Sequence, residues 1–381
     1  MNLREILADL VAIPSLPGTR NDKIADAICN HLDLPGVTLH RIPTPEGRWN
    51  ILASIGPTDQ AGVMLSGHSD VVSAEGQSWS TDPFRLTQVE DRLIGRGTSD
   101  MKGFLAVMLT LLPEFLQMPL RRPVHLAFSC DEEIGCQGVP YLIERLPDLI
   151  ALPQYCIVGE PSGLRPVRSH KGKQSIEVKL TGKPGHSSDP AAGLNALYPA
   201  AKLALEIQDI ATSLTVEGPF DPAFAPDCST LQVGLLEGGV AVNIIPEHAS
   251  MLIEARMIPA QSPHEVINRV LEVLRHIQQS ASVADVPLQS KYRVLASYPA
   301  LSSNDNAELA TKLGKLGGYP VVPAVSYGTE AGLFAKAGIT SVVCGPGDIA
   351  RAHRADEFIH EHELTACAEM LRRFVVQSCQ A

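Results

Sequence analysis

Val124-His125-Leu126-Ala127-Phe128-Ser129-Cys130-Asp131-Glu132-Glu133 is the stretch on which the fold turns. Its first half is nearly continuous in apolar character, which predicts a strand covered on both faces, as in a largely parallel sheet between helices. Its second half ends that strand in three acids. Moving outward, Val63-Met64-Leu65-Ser66 and Tyr155-Cys156-Ile157-Val158 have the same style, and Thr340-Ser341-Val342-Val343-Cys344 repeats it near the C-terminus. Helical patterns at 4–13, 22–33, 104–115 and 362–378 alternate with these runs. The expected fold class is α/β, with a mostly parallel central sheet in the larger domain.

The middle of the chain reads differently. Gln174 to Leu180 alternates as a half-buried strand, 193–209 reads as a helix, and Leu231–Leu236 and Ala249–Met257 are two strands around a Gly-Gly turn. Ser262-Pro263-His264-Glu265 has the form of a helix start, with Ser as cap, Pro in the first turn and Glu closing a capping box. Residues 290–298 give a fourth strand. Strand-helix-strand-strand-helix-strand is the ferredoxin-like pattern. The expectation is a small α+β domain over 173–290, inserted between two parts of the larger domain at 1–172 and 291–381. The Pro-rich residues 216–227 read as a loop within the insertion.

Composition sets outer bounds. The chain has 381 residues, 45% hydrophobic and 19% charged, which excludes disordered, collagen-like and coiled-coil classes. Lys plus Arg is 31 against 42 Asp plus Glu, a net charge of −11, so neither nucleic acid nor an anionic membrane is an expected partner. No run of 18 apolar residues occurs, and the N-terminal segment has acids where a signal peptide has a basic head. Eight cysteines without regular spacing, several within apolar runs (Cys130, Cys156, Cys344), point to a reducing compartment and a cytoplasmic location.

The chemistry lies where the strand-like runs stop. Gly67-His68-Ser69-Asp70 follows one, Asp131-Glu132-Glu133 a second, Gly159-Glu160-Pro161 a third, and His353 lies beyond a fourth; Gly97-Thr98-Ser99-Asp100 precedes a helix. Open parallel sheets bind ligands at the carboxyl ends of their strands, so these segments are expected to converge on one rim. Carboxylates crowded there would raise one another's pKa, and two divalent cations relieve that repulsion. His68, Asp100, Glu133, Glu160 and His353 supply two imidazoles and three carboxylates, a set suited to two zinc ions, with cobalt able to substitute. Asp100 is the expected bridge between the ions. Asp70, two residues past His68, is expected to hydrogen-bond the far ring nitrogen. Glu132 and Glu133 point apart in extended backbone, leaving Glu132 free as general base. Taken singly, each residue has a plainer reading: His68 as a packed histidine, Asp100 as a helix cap, Glu132-Glu133 as a first-turn acid pair, Glu160 as a turn residue. Their joint placement favours the metal.

Three further motifs read as decoys. Ser99-Asp100-Met101-Lys102 fits the S-x-x-K of serine acyl enzymes but no Lys-Thr-Gly partner occurs. Gly345-Pro346-Gly347-Asp348-Ile349-Ala350 fits a dinucleotide fingerprint yet leads to no clear helix. His360-Glu361-His362-Glu363 lacks the second His at i+4 and reads as the start of the last helix.

With Gly67-His68-Ser69-Asp70, Gly95-Arg96-Gly97-Thr98-Ser99-Asp100-Met101-Lys102-Gly103, Asp131-Glu132-Glu133-Ile134-Gly135 and Val158-Gly159-Glu160-Pro161 in place, the chain resembles, nearly end to end, a known family. It is the dinuclear zinc amidohydrolase and carboxypeptidase family, which includes acetylornithine deacetylase, succinyl-diaminopimelate desuccinylase and aminoacylase. The resemblance implies that His68, Asp100 and Glu160 hold one ion, that Asp100, Glu133 and His353 hold the other, and that Glu132 is the catalytic acid/base. It implies an inserted ferredoxin-like lid that forms a homodimer. Gly185-His186-Ser187-Ser188 resembles the family's oxyanion-stabilising histidine, and Asn243 and Arg256 resemble its carboxylate-binding residues. Plainer readings are a loop histidine, a turn Asn and a strand Arg paired with Glu254.

Within the family, His186–Pro190, Tyr327-Gly328-Thr329-Glu330-Ala331 and Gly345–Glu357 resemble the deacetylases of acetylornithine. Ser69 departs mildly from the commoner Thr. The activity implied is release of acetate from N2-acetyl-L-ornithine, a step of arginine biosynthesis, with Glu330 facing the substrate's cationic side chain. Alternatives within the same chemistry are other N-acyl amino acids, N-succinyl-diaminopimelate or a dipeptide. Outside it stand a non-catalytic binding relative and a serine acyl enzyme using Ser99.

Overall fold

The computed structural model describes residues 2–283 and 286–380. Up to residue 169 the chain forms α1 (Leu3–Val11), α2 (Asp22–Leu32), β1 (Val37–Pro43), β2 (Trp49–Ile55), β3 (Val63–His68), β4 (Thr87–Val89), β5 (Arg92–Ile94), α3 (Lys102–Phe115), β6 (Val124–Ser129), α4 (Val139–Leu149) and β7 (Tyr155–Pro161). Next come β8 (Gly172–Thr181), α5 (Leu197–Glu217), β9 (Thr230–Gly238), β10 (His248–Met257), α6 (Pro263–Ser280), the two-residue strands β11 (Ser282–Val283) and β12 (Val286–Pro287), and β13 (Gln289–Tyr298). The rest forms α7 (Ala307–Gly317), α8 (Ala331–Lys336), β14 (Thr340–Gly345), β15 (Phe358–His360) and α9 (Glu361–Cys379). Two compact units result. The first joins residues up to Ser169 with Leu301–Ala324 and those from Thr329 onward; the second is His170–Ala300 with Val325–Gly328.

The apolar runs build the first unit's sheet, in the order β1-β2-β6-β3-β7-β14. The strands β6, β3, β7 and β14 are mutually parallel, while β2 and β1 run antiparallel at one edge. Leu65, Leu126, Ile157 and Val342 enter a core with Phe104 and Leu105 of α3 and Leu371 and Phe374 of α9. Their neighbours Met64, Ala127, Cys156 and Val343 are equally buried. Both faces are thus covered, as unbroken apolar strands require. α3 is buried on nearly all sides, which its lack of a polar stripe dictates. Gly159 lets it come close: a Cβ there would lie 2.1 Å from the Phe104 ring. In register, His68 pairs with Ser129 and Val158 with Val343, so the carboxyl ends of four strands form one rim.

The second unit is a four-stranded antiparallel sheet, β13-β8-β10-β9, packed on α5 and α6. Ile176, Val178 and Leu180 alternate inward along β8. The strand and helix order is the ferredoxin-like one. Its far boundary differs from the expected 290: β13 pairs along its length with β8, so the unit runs to Ala300. The expected helix at 193–209 begins later, at Leu197, because Asn195 Oδ1 accepts the Leu197 N–H (2.8 Å) and makes a turn first. At α6 the Ser262 hydroxyl caps nothing; its carbonyl accepts the Glu265 N–H (3.2 Å) instead. A three-stranded sheet, β15-β5-β4, went unread in the sequence because its strands have three residues each. Among the described residues no helix is long and apolar enough to cross a membrane. The eight cysteines are unpaired, and seven are buried.

Candidate active site

Each metal-competent residue comes from a different piece of the rim. His68 is the last residue of β3, Glu160 the penultimate one of β7, and Asp100 lies in the turn before α3. Glu132 and Glu133 lie in a turn after β6, just past Asp131, whose φ is +57°. His353, also left-handed at φ +60°, follows a short 3-10 turn beyond β14. Such strained backbone gathers at functional sites.

The five expected ligands meet. Asp100 lies between the two histidines, Oδ1 at 3.0 Å from His68 Nε2 and Oδ2 at 3.3 Å from His353 Nε2. Glu160 Oε1 is 3.7 Å from His68 Nε2, and Glu133 is 3.1 Å from His353 Nε2. Ligand atoms of His68, Asp100 and Glu133 all lie within 4.8 Å of one another, and so do those of His68, Glu132 and Glu160.

This enclosure is electrostatically costly as it stands. Burial pushes Glu132 up to about 8, and it raises Glu133 and Glu160 as well. Burial also works to raise Asp100, but hydrogen bonds from His353 and His68 hold it below the usual carboxylate range. His353 rises to about 10 on its bonds to Asp100 and Glu133. Burial opposes a charge on His68, yet the bond to Asp100 and the charges of Glu160 and Asp70 raise it. Were all four carboxylates ionised, two protonated imidazoles would still leave a negative surplus, and burial instead holds three of the four toward their neutral form. Mixed nitrogen and oxygen donors with surplus negative charge fit divalent transition-metal ions.

The supporting residues correct one expectation. Asp70 does not bond the His68 ring through its carboxylate, which is 3.7 Å away; its backbone oxygen meets Nδ1 at 2.9 Å. The Asp70 carboxylate instead accepts the Glu132 and Glu133 N–H groups, at 3.2 and 3.1 Å. The extended backbone at 68–70 turns the side chain away from its own neighbour and toward the next strand's loop. Glu132 Oε1 is also 3.4 Å from Cys136 Sγ.

Sequence reasoning missed two supporting ion pairs. Glu357, 1% exposed, accepts N–H bonds from Gly97, Ser99 and Asp100 (2.9–3.1 Å) and pairs with buried Arg96 at 2.8 Å. Asp131 pairs with Arg48 and accepts the Gly18 N–H. Glu357 stood in a quoted motif without a role; Arg48 carried no local signal. The serine reading fails on geometry: Lys102 Nζ donates to the Leu10 and Ile13 carbonyls, and Ser99 Oγ faces the Asp348 carbonyl.

Glu330, just ahead of α8, is 1% exposed. Burial pushes its enclosed carboxylate up to about 7, against the opposing pull of a Ser129 hydrogen bond and the His68 charge. His186, Asn243 and Arg256 belong to the second unit. His186 pairs with Ile244 across two loops, the Ser187 N–H bonds the Asn243 carbonyl (3.1 Å), and His186 Nδ1 meets Ser188 Oγ at 2.7 Å. Arg256 pairs with Glu254 (2.9 Å) and reaches Tyr298 Oη (3.3 Å).

Residues 64–377 match the family described as peptidase family M20/M25/M40. An acetylornithine deacetylase from Myxococcus xanthus is 32% identical over 383 residues, covering 99% of this chain and 97% of that one. A metallo-carboxypeptidase of the M20 family from Sulfolobus solfataricus superposes with a TM-score of 0.79 at 21% identity, over 98% of this chain and 99% of its own. A dinuclear metal binding peptidase of that family from Bacillus subtilis gives 0.66 at 15%, over 98% and 97%. The chain belongs to peptidase family M20/M25/M40 and is a metallo-hydrolase.

Proposed function

We propose that the chain is a two-metal amide hydrolase that removes the acetyl group from N2-acetyl-L-ornithine. The observation that carries the two-metal part is Asp100, with one oxygen toward His68 and the other toward His353. His68, Asp100 and Glu160 would hold one ion, and Asp100, Glu133 and His353 the second. Zinc is the proposed native metal, with cobalt a working substitute. Ions in this set supply Lewis acidity toward the amide carbonyl and lower the pKa of a water molecule.

The chain's own residues do the rest. Glu132 takes a proton from the attacking water and returns it to the amine nitrogen as the carbonyl carbon–nitrogen bond breaks. Acetate and ornithine leave. Asp70 holds the Glu132-Glu133 backbone and so aims both side chains. His186 donates to the developing oxyanion, and Asn243 and Arg256 orient the substrate carboxylate.

The ornithine assignment is supported by the similarity to the Myxococcus enzyme and by Glu330, a buried carboxylate with no ion pair among the described residues. Its enclosure favours one second reading, an acyl amino acid with a neutral side chain. Comparing kcat/KM on acetylornithine and acetylmethionine, in wild type and Glu330→Gln, tests the pair. The proposal expects a selective loss on acetylornithine; an equal effect on both favours the neutral substrate.

We place the enzyme in the cytoplasm, in arginine biosynthesis, a reading supported by its unpaired cysteines. A homodimer through the second unit is supported by its exposed apolar residues, Leu235 and Leu236 on edge strand β9 and the fully exposed Val242 (100%). Light scattering after gel filtration checks it.

A further inference from the structure

His360-Glu361-His362 has no part in the site above, yet the fold brings a third donor to it. Asp91 lies in the turn between β4 and β5, and β15 pairs with β5 so that His360 stands opposite Arg92. The Glu361 N–H bonds the Asp91 carbonyl (3.4 Å), and the Glu363 carboxylate accepts the His360 N–H (2.8 Å). Backbone bonds thus hold Asp91 and His360, and His362 is held in the first turn of α9. Ligand atoms of Asp91, His360 and His362 lie within 4.8 Å of one another.

The pair His360–Asp91 is informative. His360 Nδ1 is enclosed and lies 3.0 Å from Asp91 Oδ2, at the point where a capping box between His360 and Glu363 opens α9. A separation of this size also suits two ligands of one ion. At metal–ligand lengths near 2.0 Å, neighbouring corners of a tetrahedron are about 3.3 Å apart, and neither donor points at the other. The His362 ring stacks beside the His360 ring, centroids 5.2 Å apart, and brings a ring nitrogen within 4.8 Å of the other two ligand atoms.

We propose that Asp91, His360 and His362 form a second, peripheral site for a divalent transition-metal ion, separate from the catalytic cluster. Two imidazoles and one carboxylate select zinc, copper or nickel over calcium or magnesium. An ion there ties β15 to the β4–β5 turn and to the first turn of α9. Glu357, which holds the loop of Asp100, is the residue immediately before β15.

Equilibrium dialysis of the full chain against micromolar free zinc, followed by metal analysis, tests this in wild type, His362→Ala and Asp91→Asn. Both side chains are exposed, and equal zinc-free melting temperatures verify that the variants fold. Wild type is expected to hold one zinc more per chain than either variant. Affinity for that ion should fall by about tenfold or more, since even outer partners of a bound metal are worth that much. Amide hydrolysis is expected to stay unchanged. Equal stoichiometry in all three proteins overturns the proposal, and so does an extra ion that both variants retain.

Discussion

Glu132 and Glu133 are neighbours in sequence with different partners: Glu133 meets His353, whereas Glu132 lies against the Cys136 thiol. Replacing Glu132 by Ala should lower kcat by about 10²–10⁴, the usual contribution of a general base. Metal content by atomic emission should stay near wild type. Asp70→Ala removes the acceptor of two backbone N–H groups, so metal affinity should drop by about 10–100-fold. A competitive chelator titration reads that loss, and unchanged affinity would leave Asp70 without its positioning role. The candidate ligands were legible in the sequence because four of them follow a strand or precede a helix, with His353 alone out in a longer loop. The partner of Asp70 was not, because side-chain direction at 68–70 depends on the twist of β3 and the neighbouring loop.

The strands are held by close packing and by groups kept neutral. Gly159 of β7 touches the Phe104 ring, so Gly159→Ala overpacks the α3 contact beside Glu160. Its unfolding free energy should fall by about 1–3 kcal/mol, read by denaturant titration. His125 lies buried in β6, its Nδ1 2.8 Å from Ser54 Oγ, and burial lowers it from 6.5 to about 4. Between those values the unfolded chain binds the proton and the folded chain does not. Stability from this group is therefore intact above pH 6.5 and is lost as pH falls toward 4. The slope is up to about 1.4 kcal/mol per pH unit. Denaturant midpoints at pH 7 and pH 5 should fall less for His125→Leu than for wild type. Long elements were legible from apolar runs and alternation. The three-residue strands β4, β5 and β15 were not, since their pairing is set by tertiary contact.

Across the whole chain, distant segments make the site one object. Glu357 holds the loop at 97–100 through three N–H bonds and Arg96, so Glu357→Ala takes the carboxylate partner from a buried guanidinium. Such a loss costs about 3–5 kcal/mol, and a lower melting temperature should accompany weaker metal retention. The insertion was legible from the ferredoxin-like order of its elements. Its fourth strand at 290–298 was legible as well, and the expected boundary at 290 cut that strand from the unit to which its pairing with β8 assigns it. The most direct test of the central claim is acetate release from N2-acetyl-L-ornithine by chain stripped of metal and then reloaded with zinc or cobalt. Acetylmethionine and succinyl-diaminopimelate run alongside. The account predicts turnover that vanishes on stripping, returns on reloading and favours acetylornithine. Turnover indifferent to chelation, or none on any substrate with metal bound, would contradict it.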